Sequence, residues 1–149
     1  MPINGIPLFF YGTLRTGEPG HALVAPFLES VKPARIPGRL HRLPAGYPAL
    51  RIPPEAVLAE GTADPLADAA LAWVVRRAEV VTPPGDWTWV EGELAVLRDP
   101  AHALPRLDRY EEFEPGGPSL YQRVLACVET PLGPEAAWLY VKQDLPEQP

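Results

Sequence analysis

The chain has 149 residues, a length that suits one folded domain and buries roughly 70% of the surface its unfolded form would expose. A hydrophobic share of 46% beside 21% charged residues reads as globular, and 21 prolines with 12 glycines demand many turns. The net charge of −6 argues against nucleic acid, the lone Cys127 excludes an internal disulfide and a structural zinc site, and no apolar run reaches membrane length. The single cysteine fits a reducing, cytoplasmic setting, the absence of a basic leader or long apolar stretch ahead of Tyr11 predicts neither signal peptide nor membrane span, and the negative charge makes a small molecule the expected partner.

Ile6 to Tyr11 is an apolar and aromatic run stopped by Gly12-Thr13, which predicts a buried strand entering a tight turn. His21 to Leu28 predicts a short helix, limited by Pro26. Pro33 to Leu43 alternates apolar and polar side chains, and Tyr47 to Ile52 repeats the pattern after a Pro-Ala-Gly break, so the two are expected to pair. Asp64 to Val75 is alanine-rich, with Leu66, Ala70, Leu71 and Val74 at helical spacing, whereas Trp73 to Val81 has strand character. Pro83 to Asp86 is a turn, and Trp87 to Leu97 a strand in which Gly92 marks a bulge or a close approach.

Asp99-Pro100 has the chemistry of a helix start, an N-cap acceptor followed by proline, and Leu104, Leu107 and Tyr110 carry the apolar period onward. Gly116-Gly117-Pro118 ends that segment, Tyr121 to Glu129 forms a strand with Val124, Ala126 and Val128 on one face, Ala136 to Val141 forms the last strand, and 145–149 is expected to fray. Many short strands with two or three helices predict an α+β fold, a small mixed β-barrel with flanking helices.

Glu111 follows Leu104 by seven positions and Leu107 by four, which sets an acid on the apolar face of its helix. Burial, the helix C-terminus and the nearby Asp108 and Glu112 would each raise its pKa. From spacing alone a solvated glutamate at an unwound helix end is the ordinary reading, which the spacing does not overturn. The turn Tyr11-Gly12-Thr13-Leu14 brings a glycine directly behind a strand, which lets backbone N–H groups approach an anion or oxyanion, although an ordinary strand-ending turn has the same pattern. His21, His41 and His102 are too widely spaced for a metal set, and Cys127 reads as buried filler.

Phe9-Phe10-Tyr11-Gly12-Thr13-Leu14-Arg15 resembles the opening signature of the γ-glutamylcyclotransferase-like family. Gly46-Tyr47-Pro48-Ala49-Leu50, Val90-Glu91-Gly92-Glu93-Leu94, Leu107-Asp108-Arg109-Tyr110-Glu111 and Tyr121-Gln122-Arg123 follow as similar blocks in the family's order, so that the resemblance runs from Leu8 to about Tyr140. It implies Glu111 as the general acid/base, the backbone of Tyr11, Gly12, Thr13 and Leu14 as substrate contacts, Tyr121 and Tyr140 as pocket walls, and a reaction without metal or other cofactor. Its closest branch is that of γ-glutamylamine cyclotransferases, which cyclise a γ-glutamyl group to 5-oxoproline and release an amine. A non-catalytic binding module with the same pocket and a γ-glutamyl deprotecting enzyme are the alternatives. The chain departs from the family in carrying Glu112 where a glycine commonly follows the glutamate, in a lengthened 112–120 loop, and in an added segment at about 53–81 that would form a lid or an interface. Oligomeric state is left open by the sequence.

Overall fold

The structure, a computed structural model, describes residues 5–43, 48–75, 83, 85–117 and 119–143. Strand β1 (Gly5–Phe10) is buried at every position, which is why its sequence reads as an unbroken apolar run rather than an alternation. It lies between two neighbours, antiparallel to β5 (Thr88–Arg98) and parallel to β7 (Gly133–Val141). The long β2 (Leu28–Arg42) runs antiparallel to β5, and β6 (Gln122–Thr130) runs antiparallel to β7. A pairing of Arg35 on β2 with Glu129 on β6 closes the order β2-β5-β1-β7-β6 into a mixed barrel. Short strands extend it at the edges, β3 (Pro48–Arg51) on β2 and β4 (Ala59–Glu60) on β6.

Alternation along the strands divides the apolar side chains into two layers. Phe9, Ile36, Leu50, Val90, Leu94, Leu139 and the Val124-Ala126-Val128 face of β6 fill the barrel. Ile6, Leu8, Phe10, Leu97, Trp138 and Tyr140 belong to a second layer shared with the helices α1 (Pro65–Val74) and α2 (Pro100–Tyr110). The fold is α+β, as the strand and helix pattern predicts, and no helix among the described residues is long and apolar enough to cross a membrane.

Several local expectations are corrected. Residues 21–28 form two 3-10 turns, His21–Leu23 and Ala25–Phe27, because Pro26 offers no N–H to a longer ladder; β2 then starts at Leu28 instead of Pro33, its first residues held by β5. On α1 the spaced Leu66, Leu71 and Val74 are the exposed side, while Ala69 and Ala72 let the helix close on the barrel and Asp68 is buried for a polar contact. Asp99 precedes α2 with φ 57° and makes no capping bond; its carboxylate instead accepts from His102 Nδ1. Gly92 is a close approach and no bulge: a Cβ there would lie 2.3 Å from the Phe10 carbonyl oxygen and 2.7 Å from the Phe9 ring. The described part of the 53–81 segment forms a 3-10 turn, β4 and α1, the last capped by Asp64, whose side chain accepts from the Ala67 N–H. Tyr47, the strand character of 76–81, Pro84, Pro118 and the tail 145–149 lie outside the described residues.

Candidate active site

The N-terminal turn follows from β1 running out of strand partners at Phe10, whose register partner is Glu93. Arg15 N–H returns to the Gly12 carbonyl (3.2 Å), Gly20 N–H to the Thr13 carbonyl (2.8 Å), and Thr16 N–H to the Glu93 carboxylate (2.8 Å). Among the described residues, those turn bonds use the Gly12 and Thr13 carbonyls as acceptors, and Gly12, Thr13 and Leu14 line the cavity described below. His21, which the sequence gives no chemical part, steadies the turn through Nδ1 beside the Leu14 carbonyl at 3.0 Å.

Across from the turn, α2 delivers Glu111. Leu104 and Leu107 are buried, so the helix can rotate only slightly, and the acid four residues on is carried to the same side. The helix stops there through paired backbone bonds, Phe113 N–H to the Asp108 carbonyl (2.8 Å) and Glu112 N–H to the Arg109 carbonyl (3.2 Å). This is the Schellman arrangement, and it needs a left-handed residue directly after the cap, usually glycine. Glu112 fills that position with φ 53°. The glycine of the resembled family is thereby explained, and so is the cost of its absence here.

A cavity of about 170 Å³ lies between turn and helix end. Tyr11, Gly12, Thr13, Leu14, Glu111, Tyr121 and Tyr140 all line it. Residues that the sequence did not single out for it also contribute: Phe9, Phe10, Pro48, Tyr110, Glu112 and Leu120. None of the described residues of the 53–81 segment reaches it, because α1 packs on β1, β7 and α2 instead, so a lid over the cavity is not formed by that part.

Burial raises the Glu111 carboxyl to about 7. Asp108 and Glu112 are not among the causes, contrary to the expectation from sequence, and Asp108 is engaged with other partners. It accepts from Tyr140 Oη at 2.6 Å and from Arg123 Nε at 2.9 Å. Arg123, 1% exposed, continues to Asp68 (2.7 Å) and to the Thr62 carbonyl (2.9 Å), its guanidinium packed near the rings of Phe113 and Trp138. Tyr11 donates to the Tyr140 carbonyl at 2.6 Å and Tyr121 to the Pro48 carbonyl at 2.9 Å. Burial first, then the neighbouring Glu111, raises the Tyr11 phenol well above its usual range, and burial with Asp108 does the same for Tyr140. Both are therefore neutral at physiological pH, and Glu111 is the group in the cavity poised to take or give a proton there.

The family model for gamma-glutamyl cyclotransferase, AIG2-like, matches residues 8–74 and 68–149. The chain belongs to that family. Among solved structures, YkqA from Bacillus subtilis matches with 23% identity and a TM-score of 0.56, over 92% of this chain and 35% of the other. This chain thus spans about a third of that protein. An AIG2-like protein from Mus musculus matches with 19% identity and a TM-score of 0.56, over 96% of this chain and 81% of the other. Both likenesses concern the AIG2-like fold, the closed mixed barrel with its helices. A comparison with curated proteins finds no match.

Proposed function

We propose that the protein is a γ-glutamylcyclotransferase, most akin in substrate class to enzymes of γ-glutamyl-amines, with Glu111 as general acid/base. The observation that carries this is a carboxyl, raised to about 7 by burial, that lines the same cavity as the strand-ending turn Tyr11 to Leu14.

Glu111 takes a proton from the substrate α-ammonium, the freed amine attacks its own γ-carbonyl carbon, and the tetrahedral intermediate collapses as the C–N bond to the leaving amine breaks. Glu111 hands that proton to the departing nitrogen as the bond breaks, and the second proton that the ring nitrogen sheds on becoming an amide follows it, so that the amine leaves as an ammonium and the ring as 5-oxoproline. Nucleophile and electrophile share one molecule, so the site has mainly to hold a folded-back conformer and stabilise charge on the γ-carbonyl oxygen, a task suited to the amides of Gly12 to Leu14. A solvated glutamate facing an amine near 8 would work uphill by about 5 kcal/mol, and a carboxyl near 7 cuts that to about 1.4 kcal/mol. The cavity is smaller than those that enclose drug-sized ligands, which fits a γ-glutamyl group inside and the leaving amine outside.

Incubating the protein with γ-glutamyl-amines, γ-glutamyl dipeptides and glutathione while measuring 5-oxoproline tests the proposal and names the leaving group. Binding of these compounds without any product would favour a non-catalytic module instead.

A further inference from the structure

Tyr110 immediately precedes Glu111 on the last turn of α2, and it lines the cavity while 45% exposed. Its hydroxyl lies 2.8 Å from Thr13 Oγ1, a hydrogen bond between residues 97 positions apart that joins the catalytic end of the helix to the glycine turn. The fold makes room for this contact. A Cβ at Gly20 would stand 2.8 Å from the Tyr110 hydroxyl and 2.9 Å from the Thr13 carbonyl oxygen, so the glycine that closes the turn also clears the space for the phenol.

We infer that Tyr110 is a positioning residue: through Thr13 it fixes the distance between the turn that would hold the γ-glutamyl group and the carboxyl that would move its proton. The inference rests on the proposed cyclisation for its functional meaning. Its physical basis is separate. Glu111 is tied to the barrel from below by the packing of Leu104 and Leu107, whereas the turn is tied to β5 through Glu93. The Tyr110–Thr13 bond joins the two across the opening, where solvent would otherwise let them drift apart. Intramolecular attack depends steeply on such a distance, with about a 1 Å error able to cost on the order of a hundredfold.

The test is a double-mutant cycle of Tyr110→Phe and Thr13→Val on the full chain, followed by 5-oxoproline release and by amide hydrogen exchange. Expected for each single variant is a kcat lowered about tenfold with KM within about twofold, consistent with a geometric loss. The double variant should lose no more than either single one, and Thr13→Ser, which keeps the hydroxyl, should lose less than Thr13→Val. Exchange at the Arg15, Gly20 and Glu111 amides should quicken in Tyr110→Phe while the β1 and β5 amides hold. Additive losses, a rise in KM with kcat intact, or unchanged kinetics would overturn the inference. If the unsubstituted protein released no 5-oxoproline, the cyclisation would fail on its own terms, and the exchange experiment would still decide whether the tie exists, unchanged protection overturning it.

Discussion

Glu111 carries opposite demands, since the burial that suits it to proton transfer also opposes its ionisation. Replacing it by glutamine removes the transferable proton and keeps the shape, so Glu111→Gln should lower kcat by roughly two to four orders of magnitude. The acid limb of the wild-type pH–rate profile should fall near 7, where the carboxyl titrates. Stability should move the other way. With the native carboxyl raised to about 7 from an ordinary 4.5, the folded state keeps a proton that the unfolded state has already released. Its contribution is complete below 4.5 and is lost as pH rises through 7. Glu111→Gln should therefore be more stable than wild type at pH 8, by about 1–3 kcal/mol, with the gap closing toward pH 4.5, as urea titrations at the two pH values would read. Its inward direction was legible in advance from Leu104 and Leu107. Its neighbours were harder to anticipate. Tyr110 continued an apolar period, and nothing in that period says its hydroxyl meets Thr13, a contact made only once β1 and α2 are folded together.

At the level of elements, the end of α2 is held by a buried charge network more than by helix propensity. Arg123 on β6 joins Asp108 on α2 to Asp68 on α1, all in a space where Arg123 is 1% and Asp68 2% exposed. Arg123→Met would leave those carboxylates buried without their cation, and a loss of about 3–5 kcal/mol is expected in denaturant unfolding. The smaller change Asp108→Asn should preserve folding yet loosen Tyr140, whose hydroxyl Asp108 receives. The partner of Asp108 has no local signature in the sequence, because it depends on which strand meets the helix end. The same limit explains α1. Its leucines and valine marked a helix correctly but not its buried side, since alanines and a paired aspartate proved the better fit to a close-packed neighbour.

Over the whole molecule, the barrel was legible as many short alternating strands, and its closure was not: the pairing of Arg35 with Glu129 has no local signature. Gly92 is where this architecture has least slack, with β1 on one side and β2 on the other. Gly92→Ala would drive a methyl against the Phe10 carbonyl and the Phe9 ring. Such overpacking typically costs 1–3 kcal/mol, and more is expected here because the obstacle is backbone, so thermal unfolding should fall by several degrees or more.

That tight spot also bears on ancestry. Gly92 does not line the cavity, yet it lets the end of the first strand, Phe9 and Phe10, lie against β5 just before the turn begins. On the proposed reading, a distant sequence that kept the acid but carried a bulky side chain at the matching position would hold the reagent without the bench it stands on. When divergent members are compared, this inconspicuous glycine is a position to read beside the glutamate.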